Sequence, residues 1–402
     1  MWESKKRRRL GTVVKNAFYS LLLPVFNVVV SFLVIRRASL ELWGAFVNVM
    51  IVVQLAAHLV NWGNKEYLLR AFSQAPAGIS RAWQTSLGTR LLLFAGLAAT
   101  AWLWGFTPTR TLLVIGWGLG QVLVQSYDVL VLYRRDFLFA AAVELARLGF
   151  MAGVIWQQGS LATVDTLITL FCGAYLAQAA ALTWRFRRQV LVGLAGRVDL
   201  GYFRQAFPFF LLGLSGLLQS RIDLYAVNFY LPPAQVGQYQ VFMNLMIYAQ
   251  SVSAFVLLPF VKTLYRLPAG VMGKIAARLA GLGLLLLGPF LLLAHLALTY
   301  LYQFTLSPLL LAAGGFFIWP IFVYLPAIYA LYKDNRQAAV VQVNALGIAA
   351  NLGFNLLLLP RLGMLGAAAA GAAAQWLMLL AYGWLFWRLA RGAAAQAGEA
   401  RA

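Results

Sequence analysis

The sequence predicts an all-α polytopic membrane protein. About twelve transmembrane helices form two six-helix lobes, related by a pseudo-twofold axis along the membrane normal. Three observations predict it. Of 402 residues, 62% are hydrophobic and only 11% charged, where a soluble domain carries about 25% charged residues. Apolar stretches recur along the whole chain, each near the ~20 residues a helix needs to cross a bilayer. The basic residues between them alternate in abundance from loop to loop, as the positive-inside rule requires.

The N-terminal MWESKKRRRL is basic like the start of a signal peptide. The apolar run behind it, 13–35, is long enough to span and no A-x-A cleavage site follows. It is read as a first transmembrane helix that is retained. Further spans are expected at 44–63, 87–107, 111–132, 137–156, 163–184, 205–231, 236–261, 277–301, 308–332, 338–359 and 364–387. Pro24, Pro259, Pro289, Pro320 and Pro326 fall inside spans, which membrane helices tolerate.

With the N-terminus in the cytoplasm, only Arg36, Arg37, Arg110 and Arg361 fall in outer loops. Only Lys15, Arg90, Arg147 and Arg221 fall within spans, and the rest of the 32 Lys and Arg lie on the inner side. A missed or invented span would invert this bias for the remainder of the chain. An even count with both termini cytoplasmic follows. The expected organisation is a basic cytoplasmic N-terminus (1–12), an N-lobe (13–184), a basic cytoplasmic linker (185–204), a C-lobe (205–387) and a cytoplasmic tail (388–402).

Several function classes drop out. The net charge of +21 forms no continuous basic face, so no nucleic-acid partner is expected. Cys172 is the one cysteine, which excludes an intramolecular disulfide. His58 and His295 have no partners at metal-ligand spacing, and no P-loop, nucleophile elbow or zinc motif appears. No catalytic residue, metal or cofactor is expected, and the chain is read as a non-enzyme.

The lobes carry a faint repeat. WGAFVNVM (43–50) and VGQYQVFM (236–243) share Gly44 with Gly237, aromatic Phe46 with Tyr239, and Met50 with Met243, at an offset of 193 residues. Each opens the second span of its lobe after a short outer loop. Six spans per lobe keep both copies in one orientation, a parallel repeat; transporters built this way bind substrate between the lobes near the midplane. The other reading is that a glycine and an aromatic simply start a helix beneath an interfacial ring.

Charged residues inside spans are the candidate functional residues, because each costs several kcal/mol in hydrocarbon, roughly 2.5 to 3.5 on the insertion scale. In QSRIDLY (219–225), Arg221 and Asp223 point about 200° apart on a helix and need separate partners. They line a polar path in the outer half of the membrane or snorkel to its interface. In AAAVELARLGF, Glu144 and Arg147 stand at i, i+3 and can pair. Asp128 is on the preceding span near the same side and within reach of them. This group is either a structural ion network or a proton or cation relay. Lys65, Arg70 and Arg90, at the inner ends of the second and third spans, gather an anionic group at a cytoplasmic entrance or simply anchor the helices. Trp62, Trp319 and Tyr324 are aromatic candidates for a cavity wall.

These residues resemble the polysaccharide transporter branch of the multidrug/oligosaccharidyl-lipid/polysaccharide (MOP) superfamily, whose best-known members are the Wzx-type O-antigen flippases. LELWGAFVNVM after an early Asn16 is similar to the family's opening of span two. LVNWGNKEYLLR resembles its small-residue turn ending in arginine. FPFFLLGLSGLLQSRIDLYAVNFYLPPAQVGQYQVFMNLM resembles its proline-led span seven through Pro208, Asp223, Gly237 and Tyr239. The resemblance runs from about residue 12 to 388. Twelve spans rather than fourteen point away from the peptidoglycan-precursor branch, while Pro24 echoes a kink of the multidrug branch.

The resemblance implies a flippase that moves an undecaprenyl-diphosphate-linked oligosaccharide across the bacterial inner (cytoplasmic) membrane by alternating access. Its product would serve O-antigen, capsule or exopolysaccharide synthesis. Arg221, Arg147, Arg90, Lys65 and Arg70 become candidates for binding the anionic substrate. Asp223, Glu144 and Asp128 become candidates for coupling to a proton or sodium gradient, or for holding the arginines. Membrane lipids and the polymerase and chain-length proteins of the same pathway are the implied partners. The alternative is an ion-coupled multidrug or metabolite exporter of the same superfamily. A membrane glycosyltransferase or polymerase would need a large outer loop, and none is long enough here.

Overall fold

The structure is a computed structural model and describes residues 2–190, 198–257, 260 and 264–399. The basic side chains expected at 5–9, and Arg197, Pro259, Lys262 and Arg401, lie outside what it describes. Among the described residues the regular structure is entirely helical: α1 (Trp2–Arg37), α2 (Leu40–Asn61), α3 (Asn64–Gln74), α4 (Ile79–Thr100), α5 (Pro108–Arg134), α6 (Phe137–Gln158), α7 (Val164–Val190), α8 (Gly201–Tyr230), α9 (Pro233–Leu257), α10 (Ala269–Leu296), α11 (Pro308–Lys333), α12 (Gln337–Leu362) and α13 (Met364–Glu399). Each of the twelve expected spans falls on one of these helices, and α3 is an addition. Among the described residues, eleven segments are long and apolar enough to cross a membrane. The span expected at 205–231 is not one of them, because Gln219, Ser220, Arg221 and Asp223 interrupt the apolar run of α8.

Short polar residues start these helices. The Ser39 hydroxyl accepts from the Leu42 N–H at 3.0 Å, which satisfies one of the free N–H groups of the first turn of α2. Thr107 before Pro108 and Ser307 before Pro308 repeat one device at α5 and α11. The hydroxyl caps the third residue on, and proline takes the first helical position, where no N–H is needed.

The chain divides into two compact units, Met1–Leu214 and Ser215–Ala402, and the division falls inside α8. In the first unit α5 packs along α7 and α1 along α6. Small residues permit the α5–α7 approach: a β-carbon on Gly120 would meet Tyr175 Cβ at 2.9 Å. Phe46 of α2 stacks on Trp117 of α5 at 5.5 Å and lies 4.7 Å from the Phe171 ring of α7.

The break between α2 and α3 is a backbone requirement. Trp62 and Gly63 both take left-handed conformations, φ 43 and 67. A β-carbon on Gly63 would sit 2.6 Å from the Phe210 backbone nitrogen and 2.8 Å from Phe209 Cβ of α8. Trp62 stacks on the Phe210 ring at 4.0 Å and donates from Nε1 to the Phe203 carbonyl at 2.9 Å. It fastens α2 to the start of α8 rather than lining a cavity. Gly63→Ala is expected to destabilise the first unit by about 2 kcal/mol or more, because left-handed strain of roughly 1–2 kcal/mol adds to the clash with α8. Thermal unfolding of the detergent-solubilised variant reads this directly, and an unshifted midpoint would refute it.

In the second unit α13 packs against α12 and α11, and α11 against α10 and α9. Ala367, Ala368, Ala370 and Ala374 are buried on α13. A β-carbon on Gly347 of α12 would collide with the Met378 side chain. Trp319 donates to the Ala280 carbonyl at 3.2 Å, and the Tyr324 hydroxyl donates to Gln375 Oε1 at 2.8 Å. Both rings are packing residues of this unit. The positions matched between the halves are buried on both sides: Gly44, Phe46 and Met50, and Gly237, Tyr239 and Met243.

Candidate functional site

In the second unit the charges of QSRIDLY have separate partners, both from α9. Arg221 is half-buried, and its Nη1 donates to Asn244 Oδ1 at 2.7 Å. Asp223 is buried and accepts from the Tyr239 hydroxyl at 2.5 Å and from the Leu224 N–H at 2.9 Å. Each charge has its own hydrogen-bond partner, as the spacing of i and i+2 leads one to expect, and no direct salt bridge joins the two. Arg221 lies 20 residues into α8, ~30 Å along the helix, with nine residues still to run to Tyr230, ~14 Å. That is too far from the helix end to call the side chain interfacial by position alone.

Asn244 and Tyr239 show what these partnerships add. At the offset of 193 residues, Arg221, Asp223, Tyr239 and Asn244 correspond to Val28, Val30, Phe46 and Ile51. The second unit has exchanged four apolar positions for two polar pairs. Burying polar groups in an apolar layer costs free energy unless each is hydrogen-bonded, and here each is.

In the first unit Glu144 and Arg147 form the expected i, i+3 ion pair within α6, at 7% and 6% exposure. The second carboxylate oxygen accepts from Gln178 Nε2 of α7 at 2.8 Å. The guanidinium lies between two rings, 4.2 Å from Phe26 of α1 and 4.3 Å from Tyr175 of α7, a desolvated cation–π sandwich. Asp128 does not bond to Arg147. Its partner is the Tyr19 hydroxyl of α1 at 2.9 Å.

Arg90 is not at the inner end of its helix. α4 begins at Ile79, eight residues before the expected start at 87, because Ser80, Arg81, Gln84, Thr85 and Ser86 mask the beginning of the span. Arg90 is fully buried, with Nε on Ser86 Oγ at 3.3 Å and Nη2 on Ser126 Oγ of α5 at 2.8 Å. Ser86 in turn donates to Asn64 Oδ1 of α3 at 2.6 Å. Lys65 and Arg70 are exposed on α3. The structure therefore does not gather the three cations expected at one entrance.

Asn244, Tyr19, Gln178 and Ser126 complete these sites and were not singled out from the sequence. One signal was present: Gln240 and Asn244 stand at i, i+4 on α9, which puts two polar side chains on one face. Among the described residues no cluster of metal-ligating side chains occurs.

No protein-family model matches the sequence, and no curated protein matches it. Solved structures do match in fold. The chain is similar to the lipid II flippase MurJ in an inward closed conformation, with a TM-score of 0.67 and 11% identity over 93% of this chain and 86% of that one. It is similar to an inward-facing multidrug resistance MATE transporter of the MOP superfamily, with a TM-score of 0.62 and 12% identity over 94% of this chain and 98% of that one. A third similarity is to the Vibrio cholerae MATE transporter VcmN, with a TM-score of 0.51 and 12% identity over 94% and 96%. At such identities the likeness is one of fold. It is the fold expected from the sequence, and it reaches neither the superfamily nor its Wzx-type branch.

Proposed function

We propose that the protein is a flippase that carries an undecaprenyl-diphosphate-linked oligosaccharide across the bacterial cytoplasmic membrane by alternating access. The observation that carries this reading is the state of Arg221. Its hydrogen-bond partner is a neutral amide, so α8 presents a half-buried cation that has no direct salt bridge among the described residues. Of the carboxylates, Glu144 is neutralised by Arg147, whereas Asp223 and Asp128 have neutral hydroxyl partners, Tyr239 and Tyr19, as Arg221 has a neutral amide. An exporter of cations would use such a carboxylate; Asp223 is buried, whereas Arg221 is half-buried and the more accessible of the two. A diphosphate-linked glycan needs positive charge and polar walls inside hydrocarbon. The fold shared with a lipid II flippase supports the same reading.

In this reading Arg221 meets the diphosphate or an acidic sugar. Both termini lie in the cytoplasm, as the distribution of basic residues implies. The pathway's polymerase and chain-length proteins receive the product on the far side. A second reading, an ion-coupled multidrug exporter, is favoured by length: the chain covers 98% of a MATE transporter and 86% of the flippase.

Depletion of the protein in its host separates them. Undecaprenyl-linked glycan is expected to accumulate in the cytoplasmic leaflet, with loss of surface polysaccharide. Unchanged glycan together with new sensitivity to cationic compounds would overturn the flippase reading in favour of the exporter.

A further inference from the structure

A groove of about 520 Å³ runs between α6 and α7 on the surface of the first unit, away from the polar clusters described above. It extends from Asp165 to Gly173 of α7, ~12 Å along the helix. Gly173 of α7, which lines it, has nothing within 4 Å of an added β-carbon. The groove is polarised. Phe150, Val154 and Gly173 line its inner end, while Thr163, Asp165 and Thr166 line its mouth.

The charges at the mouth run against the pattern of the chain. Arg37 and Arg110 belong to the four basic residues expected in outer loops, on a side otherwise nearly devoid of them. Arg110 is held at this groove through Asp165, which lines it. Arg37 lies 3.1 Å above the Trp156 ring of α6. Arg110 grips Asp165 through Nε at 2.6 Å and Nη2 at 3.1 Å, which leaves Nη1 outside that fork. The Asp165 side chain is 53% exposed and faces the groove. The Thr163 and Thr166 hydroxyls bond to each other at 2.8 Å, and Thr169 bonds to the Asp165 carbonyl at 2.8 Å. Asp165 and Arg110 are thus the charged groups the mouth offers to a ligand, one of each sign.

An apolar trough ending in a paired carboxylate and guanidinium complements one kind of amphiphile. We propose that the groove holds one tail of a bilayer phospholipid whose phosphate headgroup bears a primary ammonium, with the ammonium on Asp165 and the phosphate on Arg110. A primary ammonium donates hydrogen bonds to a carboxylate, and a guanidinium matches phosphate geometry. A quaternary ammonium cannot donate, and an anionic headgroup without an amine would face the carboxylate unpaired. The site is independent of the transport reading.

Native mass spectrometry of the full chain in detergent, with equal concentrations of phosphatidylethanolamine, phosphatidylcholine and phosphatidylglycerol of matched chain length, tests it. The protein is expected to retain the ethanolamine lipid about tenfold more than the others, the size of one charge-assisted hydrogen bond. Asp165→Asn should abolish the preference over phosphatidylglycerol. Gly173→Leu, which fills open space in the groove, should reduce retention of all three. Soluble glycerophosphoethanolamine should not compete, because it lacks the tail. No preference in the unaltered chain, an unchanged preference in Asp165→Asn, undiminished retention in Gly173→Leu, or displacement by the soluble headgroup would each overturn the proposal.

Discussion

Alanine in place of Glu144 is expected to cost the first unit about 3–5 kcal/mol of stability. Glu144 and Arg147 are each more than nine-tenths buried. The carboxylate is the counter-charge that Arg147 has within ion-pair distance among the described residues. Its removal strands a guanidinium between Phe26 and Tyr175 and leaves Gln178 Nε2 without its acceptor. Two aromatic faces offset only part of that, ~2 kcal/mol at a desolvated site. The double variant Glu144→Leu, Arg147→Met removes both charges at similar volume and is expected to regain most of the loss, since a buried pair replaced by apolar residues is often neutral. Thermal unfolding of the two single variants and the double variant in one detergent closes the cycle. If the double variant loses the sum of the single losses, the coupling is refuted. Export separates structure from transport. Each charge is already consumed by the other, so the double variant is expected to export normally at equal protein level. A stable double variant that failed to export would place the pair on the transport path.

The residues themselves explain what could be foreseen. Spans were legible because hydrocarbon demands ~20 apolar residues and loops between them carry the charge bias. Eleven of the twelve begin within eight residues of the helices' actual starts for that reason, and the widest departures teach more. α1 extends to Trp2 and α10 begins at Ala269, because a helix continues into the headgroup region where polar residues no longer lower its stability. The restart at Asn64 was invisible as a helix. α3 is short and half polar, and its start depends on Gly63 fitting against Phe210, a contact 147 positions away. The Glu144–Arg147 pair was legible since both residues sit on one helix, and helical spacing fixes their distance. The partners of Asp128, Asp223 and Arg221 come from other helices, and spacing along the chain carries no information about them. Fold class was therefore readable, charge placement was readable in part, and charge neutralisation was not.

That last distinction bears on α8. Read along the chain, Arg221 and Asp223 stand two residues apart, and helical spacing already sends them to separate partners without naming those partners. In the structure they belong to two different hydrogen-bonded couples with α9. Tyr239 gives Asp223 a hydroxyl but no charge, and Asn244 gives Arg221 an acceptor but no charge. Replacing either neutral partner would alter geometry while leaving net charge intact. Replacing Arg221 alters the field of the helix itself.

Arg221→Ala is therefore expected to lower glycan export by at least about tenfold, ~1.4 kcal/mol of lost transition-state stabilisation, while the protein inserts and folds as before. Insertion is favoured by the change, since an arginine within a span costs ~2.5–3.5 kcal/mol. Folding loses one hydrogen bond to a charged group, about 1.5–3 kcal/mol at most, from a side chain that is only half-buried and whose neutral partner tolerates isolation better than an ion. Arg221→Lys keeps the charge without the planar fork that matches phosphate and is expected to fall between the two. Asn244→Ala provides the control: it removes the acceptor and spares the cation, so export should fall less than in Arg221→Ala. Surface polysaccharide measured at matched membrane abundance decides the matter. Normal export from Arg221→Ala would remove Arg221 as a substrate contact. Equal losses from Arg221→Ala and Asn244→Ala would mean that the hydrogen bond between α8 and α9, rather than the charge it holds, is what transport requires.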